Sequence, residues 1–176
     1  MAKIKQACVD AGPFIHLDEI KSIGLLGLFV EIVTSKEVIS EHSDLSRILS
    51  QVSHVRIKDL SPQSRDFAKY LCERYELDLG EATVMGLCKQ EYIRLFFTDD
   101  LDARTVAQIL GFEPHGTLAI ILRAFREGIL SYEQVKERLQ MLWQESSLFL
   151  TKDLLKWTLA EIESFEKSLR KGKKMD

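Results

Sequence analysis

The chain lacks the strong positive charge that is typical of a protein that coats RNA or DNA. Its 176 residues carry a formal net charge of −3, and the sequence pI is about 5.9. An excess of Lys and Arg would supply the attraction on which non-specific nucleic-acid binding depends. The composition therefore argues against a simple nucleic-acid coat. It argues less against a nuclease, because clustered metal-binding acids also lower the formal charge.

The sequence also lacks an apolar run of the ~18 residues that a membrane span needs. Its first residues, Met-Ala-Lys-Ile-Lys-Gln, do not form the uninterrupted apolar segment of a signal peptide. We therefore expect a cytoplasmic protein with no membrane partner.

Cysteine is scarce, with only three in the chain. Cys8, Cys72 and Cys88 lie far apart in apolar contexts, with no CxxC pair and no histidines at zinc-ligand spacing. This pattern predicts reduced core residues and excludes a zinc site of the usual spacing.

No internal repeat, low-complexity linker or shift in composition divides the chain. A hydrophobic fraction of 45% in 176 residues suits one compact domain. We expect this domain over residues 1–145, a helical extension of the same domain over 146–169, and a disordered basic tail over 170–176.

Short apolar segments that end at turn residues alternate with amphipathic segments, which predicts strands that alternate with helices. Strands are predicted at 4–9, 52–57 and 94–97, an apolar segment spans 25–33, and 111–114 is either a connection or an edge strand. This alternation predicts an α/β fold with a central, mostly parallel sheet between two helical layers, and a C-terminal pair of helices. Functional groups in such sheets gather outside the carboxyl ends of the strands.

Carboxylates stand where predicted strands end or where the following helix begins. They are Asp10, Glu81, Asp99, Asp100 and Asp102. Converging carboxylates repel one another and cost folding free energy unless a cation neutralises them, which predicts a divalent-metal site. Mg²⁺ and Mn²⁺ prefer such oxygen ligands, and they activate water for attack on a phosphodiester.

Several short motifs carry a resemblance to a known family. Residues 9–15 (VDAGPFI), 79–82 (LGEA) and 96–100 (FFTDD) resemble, in order and spacing, three acidic motifs of the PIN-domain family. The pattern continues through 111–128 and is similar to a prokaryotic branch of that family related to VapC-like toxins. The resemblance covers roughly residues 4–145 and implies a PIN-like α/β/α fold.

The resemblance implies a ribonuclease that cleaves single-stranded RNA with Mg²⁺ or Mn²⁺, often the toxin of a toxin–antitoxin pair and often a homodimer. Its partners would be RNA, an antitoxin protein and a second copy of the chain. Carried over by position, Asp10, Glu81 and Asp100 match the catalytic, metal-binding acids, with Asp99 as an alternative for the third. Thr98 matches the hydroxyl that orients these acids.

The chain departs from the family at the fourth acidic position, which is expected at Gly116 or Thr117. Asp102 could supply that charge instead, or Thr117 could hold a metal-bound water. The missing acid favours an alternative function, a catalytically weak or inactive PIN scaffold that binds protein or RNA. A phosphatase of the haloacid dehalogenase type is disfavoured, because it needs a second Asp two residues after Asp10, where this chain has Gly12.

Candidates for substrate contact lie near the third motif. His115 precedes the loop that should border the site, and Arg104 follows the acid cluster. A plain loop residue and a solvated helix face are the competing interpretations. Trp143 and Trp157 fall on apolar stripes of the last two helices, where core packing or a partner interface is expected rather than base stacking.

Overall fold

The computed structural model describes residues 4–172. Within this range five strands form one parallel sheet: β1 (Ile4–Val9), β2 (Phe29–Ser35), β3 (Val55–Lys58), β4 (Leu95–Phe97) and β5 (Glu113–His115). Their spatial order is β3-β2-β1-β4-β5, so the first strand of the chain occupies the centre. The predicted mostly parallel sheet is confirmed, and every strand pair described is parallel.

Helices flank the sheet and connect its strands. They are α1 (Ala11–Glu19), a 3-10 helix (Ile23–Leu28), α2 (Lys36–Glu41), α3 (Leu45–Leu49), α4 (Pro62–Tyr75), α5 (Leu79–Gln90), α6 (Leu101–Ile109), α7 (Thr117–Arg126), α8 (Tyr132–Gln144) and α9 (Lys152–Gly172). Helix α5 packs on α4 and on the central strands, whereas α7 packs on α1 and α8. The α/β/α layering with a C-terminal helical pair is confirmed.

Local sequence sets several of these boundaries. The Ser35 hydroxyl accepts a hydrogen bond from the backbone amide of Val38 at 3.2 Å and so caps α2. Ser131 and Gln134 form the predicted capping box of α8, which satisfies two amides at the start of that helix. The 25–33 segment divides into the end of the 3-10 helix and β2, and residues 113–115 form an edge strand.

The end of the chain differs in part from the expectation of a disordered tail. Helix α9 runs to Gly172, so residues 170–172 are helical. Residues 173–176 of the predicted tail lie outside the described residues. The boundary predicted near residue 145 stays a prediction.

Helix α9 is fixed to the rest of the protein by its apolar face. Ile162 is buried at 1% exposure. The Phe165 ring meets Phe125 of α7 edge-to-face, with ring centroids 5.5 Å apart. The C-terminal helix is therefore docked against α7 and α8, and the position of its N-terminal half follows from that docking.

The cysteines are free thiols, with Cys8 and Cys88 buried and Cys72 partly buried. Within residues 4–172, no helix is both long and apolar enough to cross a membrane.

Candidate active site

The sheet register brings the ends of β1, β4 and β5 to one edge. Val9 pairs with Phe97, and Phe97 pairs with His115. The ladder continues one residue further, because the Asp10 amide donates to the Phe97 carbonyl and the Thr98 amide to the His115 carbonyl, both at 2.9 Å. The residues that follow these strands are therefore neighbours across the edge.

Asp10 is the most enclosed acid of this edge, with 7% of its surface exposed. Thr98 Oγ1 donates to Asp10 Oδ2 at 3.2 Å, but the buried Oδ1 has no hydrogen-bond partner in the described structure. Burial, together with the negative charges of Glu41 and Asp99, raises the pKa of Asp10 to about 6. Hydrogen bonds from the Ala11 amide and the Thr98 hydroxyl oppose this rise in pKa. The negative charge of ionised Asp10 is thus only partly offset by its hydrogen bonds.

Glu81 lies in the first turn of α5, where its Oε2 accepts a hydrogen bond from the Asp78 amide at 3.2 Å. Burial, together with the negative charges of Asp100 and Asp10, raises the pKa of Glu81 to about 8. The structure therefore places Glu81 within electrostatic range of both other acids of the predicted set.

Asp100 begins helix α6, and its Oδ1 accepts a hydrogen bond from the Ala103 amide at 2.7 Å. The Asp100 amide in turn donates to Thr98 Oγ1 at 3.2 Å. The Thr98 hydroxyl thus contacts both Asp10 and the Asp100 backbone, which couples the end of β1 to the start of α6.

Asp99 has a different environment, although it is adjacent in sequence. Its Oδ1 accepts from the Thr117 amide at 2.7 Å, and its Oδ2 accepts from the Thr117 hydroxyl and lies 2.7 Å from His16 Nδ1. The Asp99 carboxylate therefore caps the N-terminus of α7, and both of its oxygens have polar partners. The Thr117 hydroxyl is engaged in the same contact.

This arrangement explains why position 116 carries no acid. A Cβ atom at Gly116 would lie 2.6 Å from Asp99 Oδ1, which is closer than non-bonded atoms approach. The carboxylate of Asp99 already fills the space beside Gly116. A fourth acid of the site would therefore have to come from a position other than 116.

Glu41 is the carboxylate that the sequence interpretation missed. It ends α2, and the Gly80 amide at the start of α5 donates to its Oε1 at 2.7 Å. Burial raises the pKa of Glu41, and its charge in turn contributes to the raised pKa of Asp10. Glu41 thus adds a further negative charge to the side of the site that Glu81 occupies.

The acids do not converge into a finished metal site. Within residues 4–172, no three Asp, Glu, His or Cys side chains lie close enough to hold an ion as they stand. Glu81 and Asp100 each give one oxygen to the N-terminus of their own helix. The donors are nonetheless all carboxylates, and the unpartnered Asp10 Oδ1 is an acceptor, which suits a hard divalent cation.

An open cleft of about 990 Å³ extends from Asp10 and Asp100. Arg104 and His115, the predicted substrate contacts, line it, and so does Asp102, which is exposed in the first turn of α6. The Arg104 side chain forms no ion pair with any residue of the described range. A free cation therefore stands beside the acids.

Core packing is one of the two roles expected for Trp157, and the structure does not bear it out, whereas the other role, a partner interface, stays a prediction. The Trp157 side chain is 59% exposed and lines the same cleft as the acids. Trp143 is also exposed, outside the cleft lining. Helix α9 therefore uses other apolar residues for its docking.

Comparison with known proteins gives one family. The DUF3368 family model, described as PIN domain, matches residues 6–164. No curated protein and no solved structure matches the chain.

Proposed function

The chain belongs to the PIN-domain family, and we propose that it is a divalent-metal-dependent endoribonuclease that cleaves single-stranded RNA. PIN domains are generally nucleases. The observation that carries the metal-dependent proposal is the buried, unpartnered Oδ1 of Asp10 beside several other carboxylates. From the family resemblance we further propose that the protein is the toxin of a toxin–antitoxin pair and forms a homodimer. We also propose that it is cytoplasmic.

Electrostatics supports a cation at this place. A buried carboxylate without a full set of hydrogen bonds is costly, and neighbouring negative charges increase the cost. Asp10, Glu81 and Asp100, with Glu41 as the fourth acid, would hold Mg²⁺ or Mn²⁺. A bound divalent cation supplies positive charge for the phosphodiester and activates water.

The remaining residues have roles that follow from their contacts. Thr98 keeps Asp10 oriented through its hydroxyl. Asp99, saturated by Thr117 and His16, holds the start of α7 rather than serving as a ligand. Arg104 would bind a phosphate of the RNA, and His115 borders the same cleft.

A catalytically inactive RNA- or protein-binding scaffold is the second candidate. It is favoured by the absence of three converging ligands within residues 4–172. Glu41 favours the nuclease, because its negative charge acts on Asp10 as that of a fourth acid would.

Cleavage of a mixed RNA pool with added Mn²⁺ tests the proposal. We expect the wild type to cleave and Asp100→Asn to lose about 100-fold or more in rate, since one carboxylate ligand is removed. Asn is a good N-cap, so α6 should persist. Asp66→Asn changes an exposed acid of α4 outside the cleft lining, so it is the control and should cleave like the wild type. Equal residual activity in wild type and Asp100→Asn, or none in either, would overturn the catalytic assignment.

The toxin proposal has a separate test in the genome. A small reading frame directly upstream, encoding a DNA-binding fold with a basic, amphipathic tail, is the expected antitoxin.

A further inference from the structure

The cleft at the acids continues into a wall of apolar and aromatic side chains. We call this wall the aromatic arm and define it by Leu148, Phe149, Leu154 and Trp157. Its residues come from the loop between α8 and α9 and from the first turns of α9. It belongs to the same cavity as Asp10 and Asp100, so one ligand can contact both regions.

Two aromatic rings of the arm are unusually exposed. Phe149 is 86% exposed and Trp157 59% exposed. Rings left this exposed do not gain the stabilisation that burial of an apolar surface would give. Both rings instead face the cleft, where they are available to a ligand.

Hydrogen bonds fix the backbone on either side of Phe149. The Ser147 amide donates to Glu19 Oε2 of α1 at 2.9 Å, and the Leu154 amide donates to Thr151 Oγ1 at 3.2 Å. Ile162 and Phe165 dock the following turns of α9. A platform fixed in this way loses little conformational entropy when a ligand stacks on it.

The lining of the cleft has a charged part and an apolar part. Asp10, Asp100 and Arg104 belong to the charged part, whereas none of the lining residues between positions 147 and 157 is charged. A strand of RNA has matching parts, since a phosphodiester suits the metal-binding acids, the next phosphate suits a free cation, and a base suits exposed aromatic rings. An apolar protein segment would match the arm but would leave the charged part without a counterpart.

From this combination in one cleft we infer that the aromatic arm is a subsite that stacks an unpaired nucleobase of the RNA, on Trp157 and Phe149, next to the cleaved phosphodiester. The inference rests on the proposed function, because it takes RNA as the ligand. The subsite selects unpaired strands, since a base within a duplex cannot present its face to a side chain.

Binding, measured apart from cleavage, tests the subsite. The protein carries Asp100→Asn so that the probe survives, and its Kd for a fluorescein-labelled hexamer of uridylate is measured by anisotropy. The second probe is the same length of backbone with abasic tetrahydrofuran spacers. We expect Trp157→Ala to weaken hexamer binding roughly 5- to 150-fold, because base–aromatic stacking contributes about 1–3 kcal/mol per base. Binding of the abasic probe should change little.

Two further variants sharpen the result. Trp157→Phe retains a stacking surface and should recover most of the hexamer affinity. Tyr92→Ala removes an aromatic that is 93% exposed and lies outside the cleft lining, so it should bind like the parent.

Unchanged hexamer affinity in Trp157→Ala overturns the inference. So does a changed oligomeric state in Trp157→Ala without a change in affinity, which would identify the arm as a protein interface. If hexamer binding depends on Trp157 but the protein with Asp100 intact does not cleave RNA, the nuclease proposal alone is overturned.

Discussion

Two glycines at helix N-termini each make room for one acid. Gly80 accommodates the Glu41 carboxylate, which accepts its amide proton at 2.7 Å. Gly116 accommodates Asp99, because a Cβ there would lie 2.6 Å from Oδ1. In both cases a carboxylate approaches backbone where a side chain would exclude it. At the scale of single residues, the placement of these two acids therefore depends on the absence of a side chain at the neighbouring glycine.

Substituting Gly116 tests this dependence. We expect Gly116→Ala to lower the free energy of unfolding by about 1–3 kcal/mol, since Asp99 must shift and lose a bond to Thr117 or His16. Gly27→Ala is the control, because a Cβ at Gly27 would have no neighbour within 4 Å. Urea denaturation compares the two, and equal stability would contradict the proposed close approach.

Glu41 provides the second test at this scale. If it is the fourth acid of the site, Glu41→Gln should reduce Mn²⁺-dependent RNA cleavage roughly 10- to 1,000-fold. Glu37→Gln changes an acid one turn earlier on the same helix and should leave the rate unchanged. Initial rates at matched protein concentration measure both. A Glu41→Gln enzyme as active as Glu37→Gln would remove Glu41 from the site.

The sequence predicted the positions of Asp10, Glu81 and Asp100 at the carboxyl edge, since each follows a recognisable strand or begins a helix. It could not distinguish Asp99 from Asp100, because the direction of each side chain depends on Thr117 and the α7 N-terminus. Glu41 was missed for a related reason. It is 39 residues from Gly80, and the packing of α2 on α5 brings them together without any local signal.

Among the helices and strands, α9 combines a docked face with an exposed one. Ile162 and Phe165 lie on the docked face, whereas Trp157 lies on the exposed one. Periodicity predicted this helix, but it could not separate the two sides, because both carry large apolar residues. The same ambiguity applied to residues 25–33, where one apolar segment contains both a 3-10 helix and a strand.

The docking of α9 is testable through its buried residue. We expect Ile162→Ala to destabilise the protein by about 2–4 kcal/mol through loss of apolar contact and the cavity that remains. The rate of amide hydrogen exchange should increase more in α9 than in α5. The exposed neighbour provides the control, and Glu161→Ala should leave both quantities unchanged. Uniform exchange across α5 and α9 in Ile162→Ala would contradict separate docking of the helix.

At the scale of the whole molecule, the carboxyl edge holds more negative charge than its own hydrogen bonds compensate. The pKa of Asp10 is raised from 3.8 to about 6 and that of Glu81 from 4.5 to about 8. Because both pKa values are higher in the folded state, the folded chain binds more protons between about pH 4 and pH 8. Its free energy of unfolding therefore falls as the pH rises through this window.

Thermal unfolding without divalent ions measures this effect. We expect Glu81→Gln to raise the Tm at pH 8.5 by roughly 2–6 °C, a value discounted for solvent screening, and to change it little at pH 4.5. Added Mn²⁺ should stabilise the wild type at pH 8.5 and Glu81→Gln less. Glu161→Gln, an exposed substitution, should follow the wild type. A Tm that rises with pH more steeply in wild type than in Glu81→Gln would show that the sign is wrong.

The central position of β1 has a consequence for the newly made chain. Asp10 leaves the ribosome before β4, the strand that carries Thr98 and Asp100 to it, because β4 follows about 90 residues later. At typical rates of synthesis this interval is roughly 5–20 s. Throughout it, β1 lacks one of its two neighbours, and the acids remain apart. A ribosome making this protein therefore carries no assembled acid cluster beside its own RNA until β4 has been made.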